Sequence, residues 1–439
     1  MSTVAQVSKA MQYVMVDVAN DAGKKSGFIQ RERKLNGASF VQTMVFGWLS
    51  NGEASLSELN QTAASVGVKI SAQGLDKRFT AQAAECLKQV LEAAAQEVVR
   101  SEPASVGLIN RFTSVRLMDS STVGLPESLA ELWPGCGGHH GQTAALKIQV
   151  DLNFTSGALE AMWLQAGREH DQCERAQQLE LPAGSLRIAD LGYFKLDVLE
   201  KHAAQEAFWL TRLKIGTVMY DLDGQEIALE EWLNAACQTQ VERPVLLGQT
   251  HRLRCRLLAA RVPDQVAEQR RRKMKREAQV KGQTLSAARL ALANWTLLVT
   301  NVPGNLLTLA EALILYRVRW QIELLFKLWK SIGKLDVSLS QNPWRILCEV
   351  YAKLLALIIQ HWLFLVSFWA FPDRSLTKAA HTIQRFALSL ALACQTKHML
   401  SYLLTAIDRC LVAGCRINSR RAHPNTYQFL LSCPDFPLS

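Results

Sequence analysis

Leu146-Lys-Ile-Gln-Val-Asp-Leu-Asn-Phe154 alternates apolar and polar residues with a period of two. That period belongs to a strand with one buried face. Ser156-Gly157 follows as a turn, and Leu159-Glu-Ala-Met-Trp-Leu164 answers as the second arm of a hairpin. Upstream, Ser114-Val-Arg-Leu-Met-Asp119 reads as a further strand, ending in an acid. Downstream, His170 to Leu181 reads as a helix and Leu186-Arg-Ile-Ala-Asp190 as a short strand that also ends in an acid. Lys195 to Ala204 reads as a helix and Ala207 to Ile215 as a strand. The order is three antiparallel strands, helix, strand, helix, strand.

Before residue 110 the period is 3.6. Phe40 to Leu49 is amphipathic and stops near Asn51-Gly52, and Ser55 with Glu58 forms a capping box at the next helix. A turn at Gly67 and an N-cap at Ser71 then separate two short helices. This pair suits a helix-turn-helix with Gln73, Lys77 and Arg78 available to a groove or to phosphates. A plain helical hairpin fits as well. After residue 219 come strand-like Arg243 to Gly248, Leu253 to Arg261 and Asn294 to Asn301. Between the last two lies Gln269-Arg-Arg-Arg-Lys-Met-Lys-Arg276. Arg252 to Lys281 holds eleven basic and three acidic residues. That excess favours phosphate contact through Arg270, Arg271, Arg272 and Lys273, against a solvated helix face.

Tyr316-Arg-Val-Arg-Trp-Gln-Ile-Glu-Leu-Leu-Phe-Lys-Leu-Trp-Lys330 has helix-forming composition without Gly or Pro. Wound as one α-helix, it places Tyr316, Arg319, Glu323 and Lys330 at about 0°, 300°, 340° and 320°, on one stripe. A carboxylate flanked by cations can help hold a hard metal ion while the cations hold a phosphate. An ordinary Glu323–Lys327 pair on a solvated face is the plain alternative.

The spacing Tyr-x2-Arg-x3-Glu-x6-Lys resembles the YREK signature of the IS-four family of bacterial insertion-sequence transposases, related to hairpin-forming cut-and-paste transposases. Met118-Asp-Ser-Ser-Thr-Val and Ile188-Ala-Asp-Leu-Gly-Tyr-Phe resemble that family's first two acid motifs. The resemblance covers roughly residues 110 to 335. It implies an α/β chain with a ribonuclease-H-like (retroviral integrase-like) catalytic core, interrupted by a β-rich insertion domain and flanked by helical regions. The expected boundaries are a helical DNA-binding region at 1–108, core at 109–219, insertion at 220–305, the Glu-bearing core helix at 306–340, and a helical region for dimerisation or DNA contact at 341–439. Asp119, Asp190 and Glu323 would be the catalytic acids, holding Mg2+, with Mn2+ able to substitute. Tyr316, Arg319 and Lys330 would hold phosphates, and Trp295 would stack on a flipped base unless it is core. The partners implied are double-stranded DNA, at element ends and target, and a second copy in an end-paired dimer. The activity implied is end recognition, phosphodiester hydrolysis and strand transfer. A DNA-binding repressor or inactive relative, and a metal-dependent nuclease without strand transfer, are the rival readings.

Other acids compete. Asp151 lies one strand over and is the most credible substitute for Asp190; Asp171, Asp197, Asp221 and Asp223 have capping or solvent roles as the simpler account. His139-His140 follow a Gly-rich loop with no third ligand nearby and read as surface or substrate-loop residues rather than a zinc site.

Composition bounds these readings. At 439 residues, 49% hydrophobic, with net charge +10 and pI about 9.1, the chain has room for two to three domains and favours an anionic partner. Its ten cysteines contain no CxxC pair, which suits a reducing bacterial cytoplasm rather than a zinc or disulfide framework. No signal peptide is expected from the first residues. Leu354 to Phe371 is apolar for about a membrane span, but with Gln360, His361 and the abutting Lys353 it reads as a buried core helix, and no membrane partner is expected. The basic tail holds Arg416, Arg420 and Arg421.

Overall fold

A computed structural model describes residues 2–31, 35–103, 106–137, 142–280, 282–394, 396–417 and 425–432. Lys281, His139, His140, Arg420 and Arg421 lie outside them. The chain is mixed α/β, with helical N- and C-terminal regions and a nine-stranded mixed sheet. Its strands are β1 Val115–Leu125, β2 Ala144–Asn153, β3 Leu159–Ala166, β4 Leu186–Ala189, β5 Phe208–Arg212, β6 Met219–Tyr220, β7 Gln240–Leu247, β8 Leu253–Arg261 and β9 Trp295–Thr300. Two compact units divide the chain. The first holds Met1–Val106, Met118–Glu169 and Trp320–Leu431; the second holds Gly107–Leu117 and His170–Arg319.

In the first unit the strand order is β3-β2-β1. β2 and β3 pair antiparallel from Leu146↔Ala166 to Asp151↔Ala161, as the alternating pattern requires, with an irregularity at Asp151/Leu152. Their turn contains Gly157 at φ +74°, where a Cβ would approach the Leu365 and Trp369 side chains to 2.5 Å, so only glycine fits. The turn packs on helix Pro343–Leu365, the apolar stretch that matches a membrane span in length. Its 18-residue apolar window is wholly buried inside the fold, as expected for a core helix. His361 of this helix donates Nε2–H to Gly157 O at 2.6 Å. Burial lowers its pKa to about 4, so the imidazole is neutral.

The same helix carries Lys353 and Glu349, both inside the core. Lys353 Nζ lies 2.7 Å from Glu349 Oε1 and donates to Lys334 O and Val337 O at 2.8 and 2.7 Å. Ser338 Oγ donates to Glu349 Oε2 at 2.7 Å. One ion pair therefore anchors the loop that leaves helix Trp320–Ser331. Burial lowers the Lys353 pKa, and the Glu349 charge opposes that shift.

In the second unit the order is β1-β4-β5-β9-β8-β7-β6. β4 and β5 are parallel, while β9 is antiparallel to both β5 and β8. The β-rich stretch after residue 219 thus adds its strands to the sheet beyond β5. Trp295 begins β9 at 5% exposure, packed in a core with Trp209, Leu253, Leu257, Leu292 and Leu297. Arg261 lies 5.0 Å from its ring centroid. The core alternative is the one this packing supports.

Several expectations change. The helix expected from His170 to Leu181 is only Glu174–Gln178. β1 does not end at Asp119; it runs on to Leu125, and its burial drops at Asp119 because the packing opens there, not the backbone. Helix Ala72–Asp76 has five residues, about 7.5 Å at 1.5 Å each, too short to lie along a groove as a recognition helix. The Tyr316–Lys330 stretch is not one α-helix. Helix Leu309–Tyr316 passes through a 3-10 turn, Arg317–Arg319, into helix Trp320–Ser331. A 3-10 turn winds about 120° per residue, so the stretch does not keep the 100° winding of one α-helix throughout.

Two stability outcomes follow. Lys353→Met leaves Glu349 buried without its cation and should cost about 3–5 kcal/mol in urea unfolding, whereas Lys353→Met with Glu349→Leu should recover most of that loss. Equal losses in single and double variants would remove the ion pair from this account. Trp295→Ala should cost about 3–5 kcal/mol as a core cavity. An unchanged unfolding midpoint would show that the ring does not support the core.

Candidate active site

In the first unit, β1 and helix Trp320–Ser331 meet at an open pocket of about 660 Å³. It is lined by Asp119, Ser120, Ser121, Glu323, Phe326, Lys327, Lys330 and Ser331. β1 sets Asp119 where the strand leaves the core, and Ser120 N donates to Asp119 Oδ1 at 2.8 Å. The helix sets Glu323 in its first turn, where a carboxylate is favoured by the helix dipole. Ile322, Leu325, Leu328 and Trp329 are buried on the other side of the helix and fix its rotation. Lys330 Nζ donates to Thr122 O at 2.9 Å and so ties the helix to β1. Lys327, outside the signature, adds a second cation and lies 3.9 Å from the Trp320 ring centroid.

Hard divalent ions take oxygen ligands, and two half-buried carboxylates with two serine hydroxyls in one pocket suit such an ion. Among the described residues, no group of three His, Cys, Asp or Glu is assembled closely enough to hold a metal. Carboxylates repel one another without a cation between them.

The third acid belongs to the second unit. Asp190 follows β4 directly and stands at the N-cap of the 3-10 turn Leu191–Tyr193, its carbonyl accepting from Tyr193 N at 3.0 Å. The Tyr316 phenol is largely buried, and burial raises its pKa. The charges of Arg212 and Arg319 oppose that shift, while the charge of Asp190 adds to it. These four side chains therefore share one electrostatic neighbourhood. Arg212, at the end of β5, has its guanidinium carbon 5.9 Å from the Tyr316 ring centroid. Sequence reading missed Arg212, whose only signal is a basic residue closing a core strand.

The basic run occupies helix Asp264–Val280. Arg270 donates to Trp295 O and Thr296 Oγ1 at 2.9 and 3.1 Å, and Arg271 donates to Asn294 Oδ1 at 2.6 Å. Burial lowers the Arg270 pKa, and the charge of Arg212 lowers it further. Arg272 and Lys273 make exposed i,i+4 pairs with Glu268 and Glu277. Part of this charge thus serves the fold. Lys77 and Arg78 stand apart, exposed, in the N-terminal helical region.

The competing acids divide. Asp197 pairs with Lys195 and His251, and Asp221 accepts from Asp223 N, Gln225 N and Arg243, so both have structural employment. Asp151 is 2% exposed on β2, more deeply buried than a half-buried pocket ligand such as Asp119. Arg416 of the tail pairs with Asp373 and lies over Phe371.

Comparison with known proteins gives this geometry its context. The family model described as "Transposase DDE domain" matches residues 110–359. The chain is 29% identical over 362 residues to the transposase for insertion sequence element IS231B of Bacillus thuringiensis subsp. berliner, covering 77% of this chain and 75% of that one. It is 25% identical over 373 residues to the transposase for insertion sequence element IS1151 of Clostridium perfringens, covering 78% and 77%. A putative transposase, InsL of IS186A from Escherichia coli strain K12, is 28% identical over 192 residues, covering 42% and 52%. Because the family match spans more than half of the chain and takes in Asp119, Asp190 and Glu323 alike, the chain belongs to the DDE transposases of insertion sequences.

Proposed function

We propose that the protein binds the terminal inverted repeats of its element, pairs two ends as a dimer, and carries out cut-and-paste transposition in the bacterial cytoplasm. The observation that carries this reading is the joining of Asp119 and Glu323, from opposite ends of the family match, in one lysine-bearing pocket. We further infer a ribonuclease-H-like core. Its support is the antiparallel β2–β3 hairpin next to β1 and the parallel β4–β5 pair, each acid-bearing segment lying on or beside this framework. The strands β6–β9 and helix Asp264–Val280 correspond on this reading to the insertion.

Asp119, Asp190 and Glu323 would supply the carboxylate ligands for Mg2+ or Mn2+, which activates the nucleophile and steadies the leaving oxygen. The remaining residues act on the DNA. Arg319 can grip two oxygens of one phosphate with its fork, which a lysine cannot. Lys330, and Lys327 beside it, present point charges to the same backbone at the acid-bearing pocket. Tyr316, with Arg212 at its ring, adds a phenol donor to an anion held by Arg319. In the first step a water oxygen bonds to phosphorus as the phosphorus–3′-oxygen bond breaks, freeing a 3′-hydroxyl. In the second, that hydroxyl attacks a phosphorus of the opposite strand or the target, and another 3′-oxygen leaves.

Single replacement of Asp119, Asp190 or Glu323 by Ala should remove cleavage of a labelled end in Mg2+ by several kcal/mol of barrier, on the order of 10³-fold or more. Binding of the same end should be largely retained. If Asp151→Ala abolishes cleavage while Asp190→Ala does not, the assignment of the second acid fails. Nicks without hairpin or transfer products would make the protein a nuclease, and binding without any cleavage would make it a repressor. Full activity in EDTA would remove metal from the mechanism.

A further inference from the structure

Within the first unit, the helix that carries Glu323 and Lys330 ends against the N-terminal helical region. Beyond Ser331 the chain turns at Gly333 and Lys334, and Leu335 N donates back to Trp329 O at 3.2 Å. Lys334 makes that turn at φ +49°. A lysine is disfavoured in the left-handed region and stays there only where its surroundings impose it. Among the described residues, Lys334 is the one non-glycine residue of the first unit at positive φ.

Two contacts hold it there. From the core, the Lys353 ammonium donates to Lys334 O at 2.8 Å. From the other side comes the turn Asn51–Glu53, between helices Gly37–Ser50 and Leu56–Ser65. Gly52 is buried in that turn, and a Cβ added to it would come within 2.9 Å of Lys334 Cβ and Cγ and 3.0 Å of Gly333 O. Atoms so close to the backbone cannot swing aside, so a shift of the turn is passed to the helix end. The turn itself is braced. Asn51 Oδ1 accepts from Glu53 N at 3.0 Å, and Asn51 Nδ2 donates to Glu58 Oε1 at 2.9 Å, in the capping box of the next helix. Trp48 and Leu49, just before the turn, line one small cavity with Gly333 and Lys353. Glu53 also pairs with Lys334 at 3.6 Å, but both side chains reach solvent and the pair adds little.

We propose that Gly52 and Lys334 are positioning residues, a joint through which the N-terminal helical region sets the acid-bearing helix for cleavage. Ser331 of the acid-bearing pocket lies two residues before Gly333, and Lys330 is tied to β1 through Thr122 O. A displaced helix end therefore carries Lys327, Lys330 and Glu323 with it, away from their placement beside Asp119. A misplacement of about 1 Å at reacting groups can cost on the order of 10²-fold in rate. The proposal rests on the transposase reading for its reaction, and it adds to that reading two residues outside the pocket.

The test uses the full chain, a labelled terminal-repeat duplex and Mg2+, and measures single-turnover cleavage beside end affinity. Gly52 is not at positive φ, so Gly52→Ala alters the contact and not the backbone preference. It should slow cleavage on the order of 10²-fold and leave end affinity unchanged. Lys334→Gly removes the Cβ and Cγ that Gly52 abuts; it should itself slow cleavage, and adding Gly52→Ala in that background should cost nothing more. Lys334→Asn keeps a Cβ and tolerates the left-handed region, so it should cleave as the wild type does without the Glu53 pair. Hydrogen exchange at the Ile332, Gly333 and Leu335 amides should quicken in Gly52→Ala with or without DNA. A wild-type rate in Gly52→Ala, a full further loss in the Lys334→Gly background, or a fall in affinity that matches the fall in rate overturns the proposal. If Gly52→Ala does not fold, equal cleavage by Lys334→Gly and Lys334→Asn overturns it, and slower cleavage by Lys334→Gly at equal affinity upholds it. A wild-type protein that cleaves no end refutes the transposase reading instead. Exchange at the three amides then decides the joint, which unchanged exchange would overturn.

Discussion

Helix Pro343–Leu365 has no face that can meet water, and the first unit is built to cover it. From Ile346 to Leu365 every residue is buried. A helix apolar on all sides needs neighbours on all sides. Helices Gly37–Ser50 and Ala81–Ala94 pack against it, and the β2–β3 turn closes on His361 through the Gly157 carbonyl. Lys353, Glu349 and His361 Nε2 of this helix bond to other chain segments. Lys353 holds Lys334 and Val337, which follow the helix bearing Glu323 and Lys330. The demand for burial and the demand for hydrogen bonding therefore act together to fix the end of the helix that faces Asp119.

Charge is distributed on the same logic in both units. Asp119 and Glu323 share their pocket with Lys327 and Lys330, and Asp190 shares its surroundings with Arg212 and Arg319. Each acid therefore has cations close by. The Lys330 ammonium also reaches Thr122 O, so its side chain is held in position by β1. A long side chain held in place in this way needs no further ordering when a ligand binds.

The basic run spends part of its charge on the fold. In helix Asp264–Val280, Arg270 and Arg271 bind the chain around Trp295, and Arg272 and Lys273 face glutamates one turn away. A cation already paired within the fold releases fewer counterions on meeting a phosphate, so a count of basic residues in the sequence overstates this surface.

The sequence by itself determined what depends on local pattern. Alternation from Leu146 to Leu164 specified the hairpin, the Ser55–Glu58 box specified a helix start, and Gln360, His361 and Lys353 marked an apolar helix as core. Spacing and motif context also singled out the family that the later comparison supports. Tertiary structure decided what depends on distant neighbours. Asp119 is distinguished by where packing opens along β1, which its own strand does not encode. The 3-10 turn at Arg317–Arg319 divides the Tyr316–Lys330 stretch, although its composition suits one α-helix throughout. Trp295 is core because β8 and helix Asp264–Val280 supply its surroundings. Arg212 joins Tyr316 from a strand a hundred residues earlier, a proximity that exists only once the chain has folded.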